Sequence, residues 1–193
     1  ILRASPGTLQ VAAVQGGSVD GMSGVTFSSL SAPSINSSGE VFFQASISGT
    51  GVTQGLNSRG YWAFNGASRR ALVREGVSVP DAFSTLRIGA ILDAEIVRDE
   101  ASNVMSFRAS LTNPGSTASV GTGQFALPDT ATGGLPQVDV LARLGTAAPG
   151  ISGATFSDVQ RVSGRGGPGL LLSTLTGTSV VTNAASPSGR TAS

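Results

Sequence analysis

The chain contains no cysteine, no histidine and no lysine. Without histidine or cysteine, Ser-His-Asp and Cys-His nucleophilic constellations are excluded, and so are the usual zinc sites and any disulfide framework. Charged residues make up only 12% of the sequence, about half the usual share for soluble proteins. All twelve basic residues are arginine, for which GC-rich codon usage is the economical explanation. A nucleic-acid partner would require a basic stripe that neutralises several phosphates. Only Arg69-Arg70 and the Arg161 to Arg165 region approach one, and each reads as turn or edge solvation, so no nucleic-acid partner is expected. No run approaches the roughly 20 apolar residues of a membrane-spanning helix, and no basic-then-apolar signal opens the chain; its first residue is Ile1, compatible with removal of an export signal.

What remains is 193 residues rich in Gly, Ser, Thr and Ala, 39% hydrophobic, with a net charge of +1. Disorder calls for low hydrophobicity and high net charge, so the chain reads as one folded domain of ordinary size. The organising stretch is Ile35 to Gly49, because a degenerate form of it returns at a fixed interval: Phe43, Phe107 and Leu171 stand sixty-four residues apart. Internal periodicity of this length signals a repeat architecture.

Four strand-like segments recur within each interval. Val25–Leu30 corresponds to Ala90–Leu92 and Ala154–Val159. Next comes Val41–Ser48, in which Val41, Phe43, Ala45 and Ile47 alternate with Phe42, Gln44, Ser46 and Ser48; the same phase places Met105, Phe107, Ala109 and Leu111 together. Such alternation predicts half-buried antiparallel strands. The third segment, Gly60–Gly66, matches Gly123–Leu127 and, weakly, Gly189–Ser193, and Asn65-Gly66 supplies a turn with positive φ. The fourth, Arg70–Gly76, matches Val138–Gly145 and the opening Thr8–Val14. Ile91 to Glu100 is the best helix candidate, but its counterpart contains Pro33, which favours strand. The predicted fold is therefore all-β: three tandem four-stranded antiparallel units of about 64 residues, propeller-like or prism-like, in one domain over 1–193. The units fall at 18–76, 77–145 and 146–193, with an N-terminal strand at 8–14. Because the order opens on a fourth strand and closes on a third, the first strand is the missing partner of the last unit.

At Asn36-Ser37-Ser38-Gly39-Glu40-Val41-Phe42-Phe43 the sequence resembles the NxxGxxAF tandem-repeat family of exported bacterial surface proteins, which carry varied cell anchors. Asn36, Gly39 and Phe43 match that pattern, and Phe42 stands in place of its Ala. The resemblance extends through Val73-Arg74-Glu75-Gly76 to Pro80 and, more loosely, through Ala142-Arg143-Leu144-Gly145 to Pro149-Gly150. It implies a β-rich extracellular protein and carries no catalytic residue with it. The absence of cysteine also suits a bacterial exported protein better than a small secreted eukaryotic module.

Few residues are candidates for chemistry. Asp93, Glu95, Asp99 and Glu100 form the one acidic cluster. Arg87 and Arg98 make it a self-compensating edge before a calcium site or a glycosidase carboxylate pair. Gly164-Arg165-Gly166-Gly167-Pro168-Gly169 fits GxGxxG literally but has Pro168 and a strand where a dinucleotide fold needs a helix, so it reads as a turn. Asn36-Ser37-Ser38 is a formal glycosylation sequon placed in a tight turn. Tyr61, Trp62 and Phe64 form the one dense aromatic cluster and are the candidate ligand or partner contacts, with core packing as the alternative. Alternation puts Trp62 and Phe64 on one face and Tyr61 on the other. No cofactor and no metal are expected. The expected role is a non-enzymatic, secreted or cell-surface structural protein that pairs with copies of itself through edge strands, Leu9 to Val14 or the Ser179 to Ser193 tail. A lectin-like module binding glycans is the alternative. A mean hydropathy of +0.19 and sparse surface charge favour association.

Overall fold

The computed structural model describes residues 1–79, 85–98, 103–127, 138–163, 170–178 and 180. Among them every regular element is a strand, and every named strand pairing is antiparallel. Strands β1 (Leu2–Ser5) and β2 (Thr8–Val11) form a hairpin. The first sheet runs β3 (Val25–Leu30), β5 (Val41–Gly49), β6 (Arg59–Phe64), β7 (Arg69–Arg74), with the short β4 (Ser34–Ile35) also on β5. The second runs β8 (Arg87–Arg98), β9 (Asn103–Thr112), β10 (Ser119–Leu127), β11 (Asp139–Arg143). The last described pair is β12 (Ala154–Ser163) with β13 (Leu170–Gly177). Among the described residues none of these small sheets closes into a barrel.

The ambiguous stretch after Ile91 is strand as far as Arg98. Asp99, Glu100, the Gly164–Gly169 turn and the weak third strand at Gly189–Ser193 lie outside the described residues, as does the 181–193 part of the expected edge-pairing tail. At the N-terminus the strand ends at Val11 rather than Val14, and Leu2–Ser5 supplies a partner that four residues with one large apolar side chain did not announce.

The first sheet departs from the half-buried expectation because both its faces are covered. Phe43, Trp62 and Phe64 pack with Phe27, Ile47, Ala12, Ala13 and Val19 on one side. Phe42, Ala63 and Leu72 pack on the other against Phe107, Leu111 and Phe125 of the second sheet. Phe42 thus sits in a core of its own, buried like Phe43. Phe27 meets Phe43 and Trp62 edge-on at 5.9 and 5.4 Å, and Phe107 stacks on Phe125 at 5.2 Å. Aromatic pairs in these geometries contribute about 0.5–1.5 kcal/mol beyond the burial of their area.

Consecutive sheets are joined by the same two backbone hydrogen bonds at three places. Gly16 N donates to Phe27 O at 2.7 Å and Phe27 N to Gly17 O at 2.9 Å; Gly76 and Val77 bond Ile88, and Gly145 and Thr146 bond Phe156, at matching distances. Each leading glycine has φ near +80° (Gly16 81°, Gly76 83°, Gly145 80°), the left-handed region that side chains with a Cβ disfavour. The joint fixes where one sheet ends and the next begins, and so positions what lies between them.

Candidate functional site

The face of β5 that looks toward the second sheet changes character along its length. It is apolar at Phe42, then reads Gln44, Ser46, Ser48, so contact with the second sheet gives way to open space. There a cleft of about 500 Å³ opens, walled by Ser28, Ser46 and Ser48, by Ser58 and Arg59 at the start of β6, and by Glu75. Val52 and Ala90 add an apolar rim.

Glu75 lies immediately before the joint glycine Gly76 and is 3% exposed. Its backbone N donates to Arg59 O at 3.0 Å, and its Oε2 accepts from Arg59 N at 3.2 Å. Burial pushes the carboxyl above the ordinary glutamate value, opposed by the Arg59 charge and by that backbone hydrogen bond. Glu75 Oε1 has no partner among the described residues, and neither do the hydroxyls of Ser28, Ser46 and Ser48. Ser58 is anchored, its Oγ accepting from Gly55 N at 3.1 Å. The cleft therefore offers acceptors, donors and one of each charge, with hydrogen-bonding capacity unspent. Glu75 itself lines the cleft, so its second carboxylate oxygen opens onto a space in which another group can complete the bonding.

The cleft is not among the sites expected from sequence, although one signal was present. The residue before the joint glycine is Gln15, Glu75 and Leu144 in turn, and only the middle joint buries an acid there.

The residues proposed from sequence lie elsewhere. Trp62 is 2% exposed and Phe64 is buried with it, both packed beside Phe43, while Tyr61 faces the opposite core half-buried. Ligand contact through Trp62 would require opening that core. Asp93 and Glu95 pair along the backbone with Arg108 and Ser106; their side chains, with Asp99 and Glu100, fall outside the described residues. Among the described residues no cluster has the makings of a metal site. Arg69 bonds Asp20 at 2.8 Å and Arg70 bonds Glu40 at 3.1 Å, so this arginine pair is engaged with carboxylates. The Arg161 side chain and Arg165 lie outside the described residues. Asn36 is only 7% exposed: its Oδ1 accepts from Glu40 N and Ser38 Oγ, each at 2.8 Å, closing the turn that Gly39 completes with φ 80°. The sequon asparagine is a turn cap.

Residues 1–187 match the model of a family described as a family of unknown function, DUF7453. No curated protein and no solved structure matches the chain.

Proposed function

Because the chain belongs to DUF7453, a family whose description states no activity, we propose from its own residues that it is a non-enzymatic structural module of an extracellular or cell-surface assembly. Its sheets are propeller-like blades, and copies complete one another's unfinished blades. The observation that carries this reading is that the hairpin β1–β2 and the pair β12–β13 are complementary halves of the sheet made whole by β3, β5, β6 and β7.

The correspondence can be followed bond by bond. β12 and β13 pair as β3 and β5 do: Ala154↔Gly177 and Phe156↔Leu175 match Val25↔Gly49 and Phe27↔Ile47, with a register shift after each phenylalanine. β1 and β2 pair as β6 and β7 do, Leu2↔Val11 matching Trp62↔Ala71. Even the irregularity next to that pair has its likeness, since Ile1 O accepts from both Ala12 N and Ala13 N. Neither half has a strand on its other edge among the described residues, and two-stranded ribbons alone are marginal in water.

Side chains support the same conclusion. The hairpin turns its polar residues inward, Arg3 bonding Gln10 and Gln10 bonding Gly66 O, each at 2.7 Å. Its outer face is apolar: Leu2, Leu9 and Val11 are 61%, 67% and 60% exposed. In β7 the extra residue of the register shift, Leu72, is buried between the sheets, whereas its counterpart in β11, Leu141, is 47% exposed. A hairpin from a second copy, added to β13, would cover Leu141 with Leu2 and Val11. Each copy would then contribute two whole blades and share two composite ones. A closed pair has six blades, within the four to eight that propellers typically use. The turn at Asn36–Phe43, with its resemblance to exported surface repeats, supports placement outside the cell.

Light scattering over a concentration series tests the assembly. The wild-type chain should approach twice its 19.2 kDa monomer mass, and Leu2→Asp, at a site that is 61% exposed, should stay monomeric with an unchanged β spectrum. A wild-type chain that remains monomeric at every concentration would contradict it.

A further inference from the structure

We infer that the cleft between the first and second sheets is a binding site for a neutral saccharide, with Glu75 and Arg59 as its polar anchors. This goes beyond the assembly reading and does not depend on it, because every residue involved belongs to one copy.

The chemistry of the lining selects the ligand class. Glu75 and Arg59 carry opposite charges and face the same space. A cation drawn to the carboxylate would meet the guanidinium, and an anion drawn to Arg59 would meet the carboxylate. A ligand with no net charge and many hydroxyls satisfies both, donating to Glu75 Oε1 and accepting from Arg59. The proton affinity of Glu75 is raised, with burial as the first cause. Ser28, Ser46 and Ser48 supply three hydroxyls without partners among the described residues, each able to donate and accept at once. Val52 and Ala90 offer an apolar edge suited to the C–H face of a sugar ring. The volume of about 500 Å³ lies in the range of small-molecule sites, about 300–1,000 Å³.

The position is also singular within the fold. The joints at Gly16 and Gly145 are preceded by Gln15 and Leu144, so only the middle one places a buried acid at the cleft. A purely structural residue at this point would not need a charge. Gln would accept the Arg59 N hydrogen bond equally well and avoid the cost of burying a carboxylate.

Two variants and an oligosaccharide array test the inference. The array carries neutral, uronic-acid-bearing and amino-sugar-bearing oligosaccharides. Ser48→Tyr fills the cleft from an exposed position, and Glu75→Ala removes the acceptor; circular dichroism checks that each still folds. The expected result is retention of neutral oligosaccharides by the wild type, with at least tenfold weaker binding in both variants. Binding left unchanged by Ser48→Tyr would overturn the inference by moving the site elsewhere, to the Tyr61 neighbourhood for instance. Preference for charged sugars, or no binding to any neutral one, would overturn it as well. None of these outcomes alters the mass measured by light scattering, so the two proposals fail separately.

Discussion

Glu75 is the residue at which burial and charge are most opposed. Its carboxyl is desolvated, and one hydrogen bond with the nearby Arg59 charge compensates only in part, leaving its proton affinity above the ordinary glutamate value of 4.5. The folded protein therefore holds this proton more tightly than the unfolded chain does. Stability contributed at this site is full below the unfolded value and falls as pH rises through the raised folded one. Glu75→Gln keeps the acceptor and removes the titration. In thermal melts from pH 4 to pH 8, the wild type should lose stability relative to Glu75→Gln as pH climbs from the glutamate value. Parallel curves would mean that water or Arg59 solvates the carboxylate fully. In sequence, Glu75 stands in the Val73-Arg74-Glu75-Gly76 run at the end of a strand-like segment. Nothing local reveals that the next sheet folds over it, because Gly76 bonds Ile88, which belongs to another strand.

At the scale of elements, recurrence at Ala154–Val159 made β3 legible to its ends, and alternation of apolar and polar residues made β5 legible to within a residue. The pattern was silent on how many faces are covered. Phe42 broke the alternation, and its reason is the second sheet, which packs against it through Phe107. β1 was not legible, because the hydrogen bonds that define it come from β2 and its outer face is exposed. Strand ends are governed by backbone approach, which composition reports poorly. Gly49 closes β5 with φ 132°, and a Cβ built there would run into Gly24 O; Gly177 closes β13 in the same way against Gly153 O. Gly49→Ala should therefore cost about 1–3 kcal/mol, the usual range for a forced backbone conformation, read as a lower midpoint in urea with the slope unchanged. Gly51→Ala, with positive φ but open space around it, should cost less. Equal losses would show that the close approach to Gly24 contributes nothing.

For the whole molecule, the hairpin β1–β2 and the pair β12–β13 have no further strand among the described residues, and the proposal is that each completes the other across copies. The inward-facing polar pair Arg3–Gln10 and the outward-facing Leu2, Leu9 and Val11 invert the order expected of a hairpin at the margin of a monomer. Exposed apolar sheet faces and open edges are aggregation hazards unless something occupies them, and a chain with 12% charged residues has little else to keep it apart. Sheet completion also fixes a register. Phe43 stands opposite Trp62 where β5 meets β6; Leu171 holds the place of Phe43 in β13, and Leu2 that of Trp62 in β1. Leu171 of one copy should therefore lie directly across from Leu2 of the next. Directly opposed antiparallel residues are about 4.5–5.5 Å apart at Cα, within reach of a disulfide. The chain has no cysteine of its own, so a Leu2→Cys, Leu171→Cys double variant reports on this contact alone. Under mild oxidation it should form a disulfide-linked dimer that reducing agent dissolves, while each single variant and a Leu9→Cys, Leu171→Cys control, shifted by one strand, should stay largely unlinked. A double variant that remains monomeric, or links no better than the shifted control, would contradict the completion of one copy's sheet by the hairpin of another.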